Sequence, residues 1–129
     1  MPEPSNLFEP GNVLIRRADR DSGDQKLRPC VVISSSARSK DATADTVLVV
    51  PLTSDTDGKQ RLPMPVIAPD PSNGLLQRSA AMCGRMSCIR KARLNQRIGA
   101  LNPQELRRIR LGVAAAIGLA DLLTAARLS

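Results

Sequence analysis

The chain has 129 residues, 42% of them hydrophobic, which is enough for one domain that buries its own core. Phe8 is the only aromatic residue, so the core must be aliphatic, and single-strand binders that stack bases on aromatic side chains, such as RRM-type sheets, are excluded. The formal net charge of +7 comes from residues 71–129, where ten Lys and Arg face two Asp and Glu; this excess attracts polyanions, although ordinary surface arginines explain it equally well.

Short strands separated by polar turns follow a loose arm over residues 1–10. The polar stretches 18–27 and 35–45 are expected to be loops. Apolar runs with β-branched residues predict the strands, and the prolines within residues 62–68 are typical of an edge strand. In chain order the predicted strands are Asn12–Arg17, Pro29–Ser34, Thr46–Leu52, Leu62–Ala68, Ser79–Cys83, Met86–Ile89 and Ile98–Leu101.

A helix over residues 103–126 is predicted at the end of the chain. Asn102, Pro103 and Glu105 offer an N-cap, a proline at the first helical position and an acid at the third. Apolar residues then recur at three- and four-residue spacing and predict one buried face. They are Leu106, Ile109, Val113, Ile117 and Ala120. The order of strands followed by a packed helix predicts a single domain of the α+β class, mainly β, built as a small barrel.

The arginines of this helix fall off its apolar face. Arg107, Arg108 and Arg110 are most simply a solvated surface, with contact to nucleic acid as the second interpretation.

The cysteines and the lack of targeting or membrane-spanning segments indicate the cellular compartment in which the protein is expected. Cys30, Cys83 and Cys88 are odd in number and no histidine accompanies them, so neither a disulfide framework nor a zinc site is expected. Cys30 and Cys83 lie in apolar runs and are predicted to be buried. No signal peptide and no apolar run of membrane-spanning length is evident. We therefore expect a soluble cytoplasmic protein without metal or cofactor.

Five motifs occur in order between residues 10 and 119. They are Pro10–Val13 (PGNV), Ser22–Gln25 (SGDQ) with Arg28–Ser34 (RPCVVIS), Val49–Ser54 (VVPLTS), Ser79–Cys83 (SAAMC) and Arg97–Leu106 (RIGALNPQEL). Together they resemble the MazF/PemK family of small toxin endoribonucleases. The resemblance implies an SH3-like small β-barrel of the MazF/PemK/CcdB type with a C-terminal α-helix, usually a homodimer. It also implies metal-independent cleavage of single-stranded RNA, inhibition by a cognate antitoxin protein, and DNA binding by the toxin–antitoxin complex.

The resemblance places catalysis on Arg28 and Thr53. Metal-free cleavage uses the neighbouring 2′-hydroxyl of RNA as nucleophile and needs donors for the charge that develops on the phosphate. An arginine can fork onto two phosphate oxygens, and a threonine hydroxyl can donate to one. The chain lacks histidine, which excludes a mechanism with a histidine pair. Structural roles remain open for both residues: an ion pair for Arg28, and simple β-propensity for Thr53.

Substrate contacts are expected nearby. Ser54 can assist Thr53, Asp24 is the carboxylate best placed to act as base or to orient Arg28, and Gln25 follows it in the same loop. An ion pair between Arg28 and Asp24 or Asp55 is the structural alternative.

One segment departs from the family pattern. Residues 84–88 read Gly-Arg-Met-Ser-Cys where the family has Asp-Gln-hydrophobic-Arg-Ser/Thr. Ser87 stands in the place of the expected arginine, and Arg85 is new. Arg85 either supplies a compensating contact to phosphate or guanine, or the barrel binds RNA or antitoxin without cutting. Six basic residues and no acid between Arg78 and Arg97 favour retained contact with a polyanion.

Two other classes of function stay open. A gyrase poison of the CcdB type shares the barrel, but those proteins use aromatic residues at the end of the chain, and this chain ends in LTAARLS. A DNA-binding barrel would bind duplex in a salt-dependent manner without cleavage.

Overall fold

A computed structural model describes residues 7–16, 28–57 and 64–128. The strands are β1 (Asn12–Arg16), β2 (Arg28–Val32), β3 (Thr46–Thr53), β4 (Val66–Ile67), β5 (Ser79–Ala81), β6 (Ser87–Arg90) and β7 (Leu94–Ala100). The helices are α1 (Ser36–Lys40), α2 (Pro103–Ala116) and α3 (Leu119–Leu128), with 3₁₀ turns at Cys83–Arg85 and Lys91–Arg93.

The strands form one antiparallel sheet in the order β4-β5-β3-β2-β1-β7, with β6 also paired to β3. Strand β3 organises this sheet. One of its edges carries β2, and the other carries β6 along residues 46–49 and β5 at residues 52–53. The 3₁₀ turn at Cys83–Arg85 separates β5 from β6. Strand β3 therefore joins two sections of the sheet, one through β5 and the other through β6, which pair with different parts of the same edge.

The core consists of two aliphatic clusters, one on each face of the sheet. Alternation along the strands sends successive residues to opposite clusters: Val31 belongs to the first cluster, whereas Cys30 and Val32 belong to the second. Helix α2 covers the first cluster with Ile109 and Val113. The mainly β fold with a C-terminal helix and an aliphatic core is confirmed.

Helix α2 begins as the sequence predicts. The side chain of Asn102 accepts a hydrogen bond from the backbone N–H of Glu105 at 2.8 Å, and the carboxylate of Glu105 accepts one from the backbone N–H of Asn102 at 3.1 Å. This reciprocal pair is a capping box, with Pro103 at the start of the helix. Arg110 forks onto the backbone carbonyl of Ile33 at 3.1 and 3.3 Å, so this arginine ties the helix to the end of β2.

The prediction of one continuous helix over residues 103–126 is wrong. Helix α2 ends at Ala116, and α3 starts at Leu119 after Gly118, whose φ of +74° an ordinary helix cannot contain. The break turns the predicted apolar face outward. Ile117 is 62% exposed and Ala120 is exposed as well, so neither continues the buried face.

Further differences lie in polar segments. The expected loop at residues 35–45 contains α1, which Ser35 caps by accepting from the N–H of Arg38 at 3.2 Å. Strand β7 begins at Leu94, whereas the sequence predicted a start at Ile98. The prediction missed the first part of the strand because Gln96 and Arg97 are exposed polar residues that interrupt its apolar pattern. Strand β4 is limited to Val66–Ile67 within the described residues. No helix in the described ranges is long and apolar enough to cross a membrane.

The cysteines divide as predicted. Cys30 and Cys83 are buried, and Cys88 is exposed. Burial raises the pKa of Cys30 from an ordinary value of 9.0 to about 12, with the charge of Arg16 opposing the rise. Burial likewise raises the pKa of Cys83 to about 11. Both thiols are therefore uncharged at neutral pH.

Candidate functional site

Two neighbouring strand ends bring Arg28 and Thr53 to the same place. Arg28 is the first residue of β2 and Thr53 is the last residue of β3. The register of this pair matches Cys30 with Pro51, and the same register continued by two residues puts Arg28 opposite Thr53. Opposed residues of an antiparallel pair lie on one face of the sheet. Pro29 and Pro51 cannot donate to the ladder, and the pairing between β2 and β3 ends at Cys30 and Pro51, beside these two side chains.

A cleft of about 700 Å³ opens at this end of the sheet, within the size range of small-molecule clefts. Its polar lining combines a guanidinium, three hydroxyls and two amides, which belong to Arg28, Thr53, Ser54, Ser79, Gln77 and Gln96. Its apolar lining belongs to Ile15, Pro29, Leu52, Leu75, Leu76 and Ile98. Among the residues that the structure describes, no Asp or Glu lines this cleft. The described lining is therefore positively charged and suited to an anionic ligand.

The hydroxyl of Thr53 is oriented by the turn that follows it. Its Oγ1 accepts a hydrogen bond from the backbone N–H of Asp55 at 3.2 Å. A hydroxyl held in this way as an acceptor still has its own hydrogen to donate. Thr53 can thus present a donor to a ligand in the cleft while its oxygen stays fixed.

A loop fixed by a buried asparagine also lines the cleft. Asn73 is 0% exposed. Its Oδ1 accepts from the N–H groups of Asp70 at 3.1 Å and Leu75 at 2.9 Å, and its Nδ2 donates to the carbonyl of Ala68 at 2.9 Å. The N–H of Ala100 donates to the carbonyl of Ser72 at 2.9 Å, which ties the loop to β7. We name residues 68–77 the Asn73 loop.

The predicted site residues divide into three groups. Arg28, Thr53 and Ser54 share the cleft, as their common assignment to one site requires. Asp24 and Gln25 lie outside the described residues.

Arg85 and Ser87 are elsewhere. Arg85 ends a 3₁₀ turn that packs against α2, and its carbonyl accepts a hydrogen bond from the Ser87 hydroxyl at 2.9 Å. Ser87 pairs with Val49 of β3, and neither residue lines the cleft. Within one chain, Arg85 therefore lies outside the cleft that Arg28 lines.

Three cleft residues escaped the sequence analysis. Leu76, Gln77 and Gln96 carry no motif, and the Asn73 loop contributes to the cleft only because β7 lies beside it. The one available signal was the turn composition of residues 69–74 (PDPSNG), which predicts a loop but not what it borders.

Comparison with known proteins supports the family that the five sequence motifs indicate. The family described as PemK-like, MazF-like toxin of type II toxin-antitoxin system matches residues 9–117. Among solved structures, the Mycobacterium tuberculosis toxin MazF-mt6 has a TM-score of 0.66 at 21% identity, covering 83% of this chain and 96% of its own.

Two solved complexes share the fold. An endoribonuclease bound to its cognate antitoxin, from a Mycobacterial species, has a TM-score of 0.61 at 23% identity and covers 88% of this chain and 95% of its own. A MazE–MazF complex from Deinococcus radiodurans has a TM-score of 0.67 at 14% identity, covering 85% and 95% respectively. With the family match over most of its length, and with Arg28 and Thr53 at one cleft, this chain belongs to the PemK-like, MazF-like toxins of type II toxin–antitoxin systems.

Proposed function

We propose that this protein is a metal-independent endoribonuclease that cuts single-stranded RNA in the cytoplasm, with Arg28 and Thr53 as its catalytic residues. The observation that carries the proposal is the shared cleft, which the guanidinium of Arg28 and the hydroxyls of Thr53 and Ser54 all line. These are donors of the kind that a reaction at phosphate requires. The family match and the relatives described as endoribonucleases add support.

The chemistry begins with the 2′-hydroxyl of the substrate. Its oxygen loses a proton to a base and attacks the adjacent phosphorus, and the bond to the 5′-oxygen breaks. The leaving 5′-oxygen takes up a proton from water, so the products are a 2′,3′-cyclic phosphate and a free 5′-hydroxyl. Negative charge grows on the non-bridging oxygens during this step. Arg28 would fork onto those oxygens, and Thr53, oriented by the N–H of Asp55, would donate to one of them, with Ser54 as a second donor.

The base that removes the 2′-hydroxyl proton is assigned to the segment before Arg28. No carboxylate from the described residues lines the cleft. Asp24, in the motif that precedes Arg28, is the candidate carboxylate, with Gln25 as a neutral substrate contact. Asp24 would act as base or hold Arg28 in position.

We further propose that two copies of the chain associate and that a cognate antitoxin binds them. Helices α2 and α3 expose large apolar side chains in the single chain: Leu111 is 53% exposed, Leu122 64% and Leu123 58%. Unpaired apolar surface of this kind marks an interaction site. The net charge of +7 would favour an acidic segment of the antitoxin.

The activity is tested with purified protein and a long single-stranded RNA in excess chelator. The wild type should produce fragments with 5′-hydroxyl ends, which can be phosphorylated directly by a polynucleotide kinase. Arg28→Ala should lower the cleavage rate by about 100-fold or more, since removal of one donor to a developing oxyanion has effects of that order. Arg107→Ala, an exposed arginine on α2, should cut at the wild-type rate.

A barrel that binds without cutting is the competing outcome. In that case the wild type would bind the RNA, and the RNA would stay intact both in excess chelator and in added magnesium. Equal cleavage by wild type and Arg28→Ala would instead remove Arg28 from the reaction.

A further inference from the structure

The Asn73 loop presents two consecutive leucines in opposite environments. Leu75 is 7% exposed and belongs to the first core cluster, whereas Leu76 is 97% exposed and lines the cleft. Core packing explains Leu75 but not Leu76. The three hydrogen bonds of Asn73 hold the backbone at Ala68, Asp70 and Leu75, so the fold fixes the chain directly before Leu76, which meets solvent.

Beside Leu76 the cleft offers side-chain amides. Gln77 is exposed and follows Leu76 directly, and Gln96 enters the same cleft from β7. A glutamine amide both donates and accepts hydrogen bonds, which is the pattern that the edge of a nucleobase matches. The cleft therefore has an anion-binding wall at Arg28, Thr53 and Ser54 and a wall of different character at the Asn73 loop.

We propose that Leu76 and Gln77 form a base-binding subsite, in which Leu76 packs on the face of the unpaired base next to the phosphate held by Arg28 while the Gln77 amide contacts the edge of that base. This inference rests on the proposed function, because it takes single-stranded RNA as the ligand. It adds two residues that would determine which sequences are bound.

The composition of the site favours a nucleotide over the other occupants of an apolar surface. A guanidinium and hydroxyls lie in the same cleft as Leu76, and no carboxylate of the described residues repels a phosphate there. Nucleic-acid proteins usually supply an aromatic ring for base stacking, but the chain has only Phe8, which packs with the second core cluster under Lys91. Aliphatic side chains are thus the apolar surface that this cleft can offer to a base.

The test compares ligands with and without bases. An uncleavable single-stranded 2′-O-methyl RNA and an abasic sugar–phosphate strand of the same length are each titrated into wild type, Leu76→Ala and Gln77→Ala. Leu76→Ala should weaken binding of the base-containing strand by about fivefold or more, from the apolar surface removed, and leave the abasic strand unaffected. Ile117→Ala, which removes another exposed aliphatic side chain outside the cleft, serves as the matched control and should bind both strands like the wild type.

Cleavage provides an independent readout. On a mixed-sequence RNA, Leu76→Ala should raise KM with little change in kcat, and Gln77→Ala should broaden the distribution of cut sites. If the wild type cuts nothing yet discriminates the two strands through Leu76, the proposed nuclease activity fails while the base subsite stands.

Three results would overturn the subsite. They are equal binding of the base-containing strand by wild type and Leu76→Ala, an equal loss for both strands, and a change of sedimentation coefficient in Leu76→Ala, which would assign Leu76 to contact with a second copy of the chain.

Discussion

Gly74 lies against the backbone carbonyl of Ile98, so closely that a Cβ built on Gly74 would be 2.0 Å from that oxygen. Its φ of +71° also belongs to the region that residues with a side chain rarely adopt. The contact joins the Asn73 loop to β7, and both elements line the cleft. The absence of a side chain at Gly74 therefore allows the Asn73 loop to lie close against β7 beside the candidate site.

Gly74→Ala should destabilise the protein by about 3 kcal/mol, because backbone strain and overpacking act at the same position. Thermal or urea unfolding followed by circular dichroism measures the change. Gly84→Ala is the matched control, since nothing lies within 4 Å of a Cβ added there, and its effect should stay within about 0.5 kcal/mol. Equal stability of the two variants would contradict the close contact between the loop and β7.

Thr53 tests the role of a hydroxyl independently of charge. Thr53→Val keeps the branched shape of a half-buried strand residue but removes the donor, and should reduce RNA cleavage by about 100-fold. Thr53→Ser keeps the hydroxyl and should retain activity within about tenfold of the wild type. Rates are measured under single-turnover conditions, with unfolding curves to exclude loss of structure. Similar rates for the two variants would exclude the hydroxyl from the reaction.

The three thiols should differ in reactivity in the native state. Cys88 is exposed, whereas Cys30 and Cys83 are buried and burial raises the pKa of both. A disulfide reagent such as Ellman's reagent at pH 8 should therefore modify one thiol rapidly and the other two only after unfolding, because the thiolate is the reactive form. Cys88→Ser should abolish the rapid phase. Rapid modification of two or three thiols in the folded protein would contradict the burial.

Stability should fall at alkaline pH because of the same burial. The pKa of Cys30 is raised from 9.0 to about 12 in the folded protein, so the unfolded chain loses the thiol proton first as pH rises. Stability from this group is complete below pH 9.0 and is lost towards pH 12, by up to about 1.4 kcal/mol per pH unit. Urea unfolding between pH 8 and 11 measures the slope, which Cys30→Ala should reduce. The chain has no tyrosine to add a competing titration.

The parts of the fold that the sequence predicts well are those where local pattern and tertiary contact agree. The buried runs at β2 and β3 and the capping box at Asn102 each depend on residues that are close together in the sequence. The placement of Arg28 and Thr53 at one cleft was reachable only through the family resemblance, since no local rule sets the register of two strands separated by the residues of α1.

The rest depended on long-range contacts. The break at Gly118 could not be predicted from the apolar spacing, because that spacing continues to Ile117 although the buried face ends at Val113. Leu76 and Gln77 are ordinary loop residues until β7 is brought beside them. Sequence periodicity describes one element at a time, whereas this cleft is made where several elements meet.

The spread of the cleft along the chain has a consequence for synthesis. Its lining runs from Ile15 to Ile98, and β7, which closes one side, ends at Ala100. A growing polypeptide holds Arg28 and Thr53 well before it holds that closing strand, and domains fold as units. A chain that ends before β7 therefore carries Arg28 and Thr53 on a surface that lacks one side of the cleft.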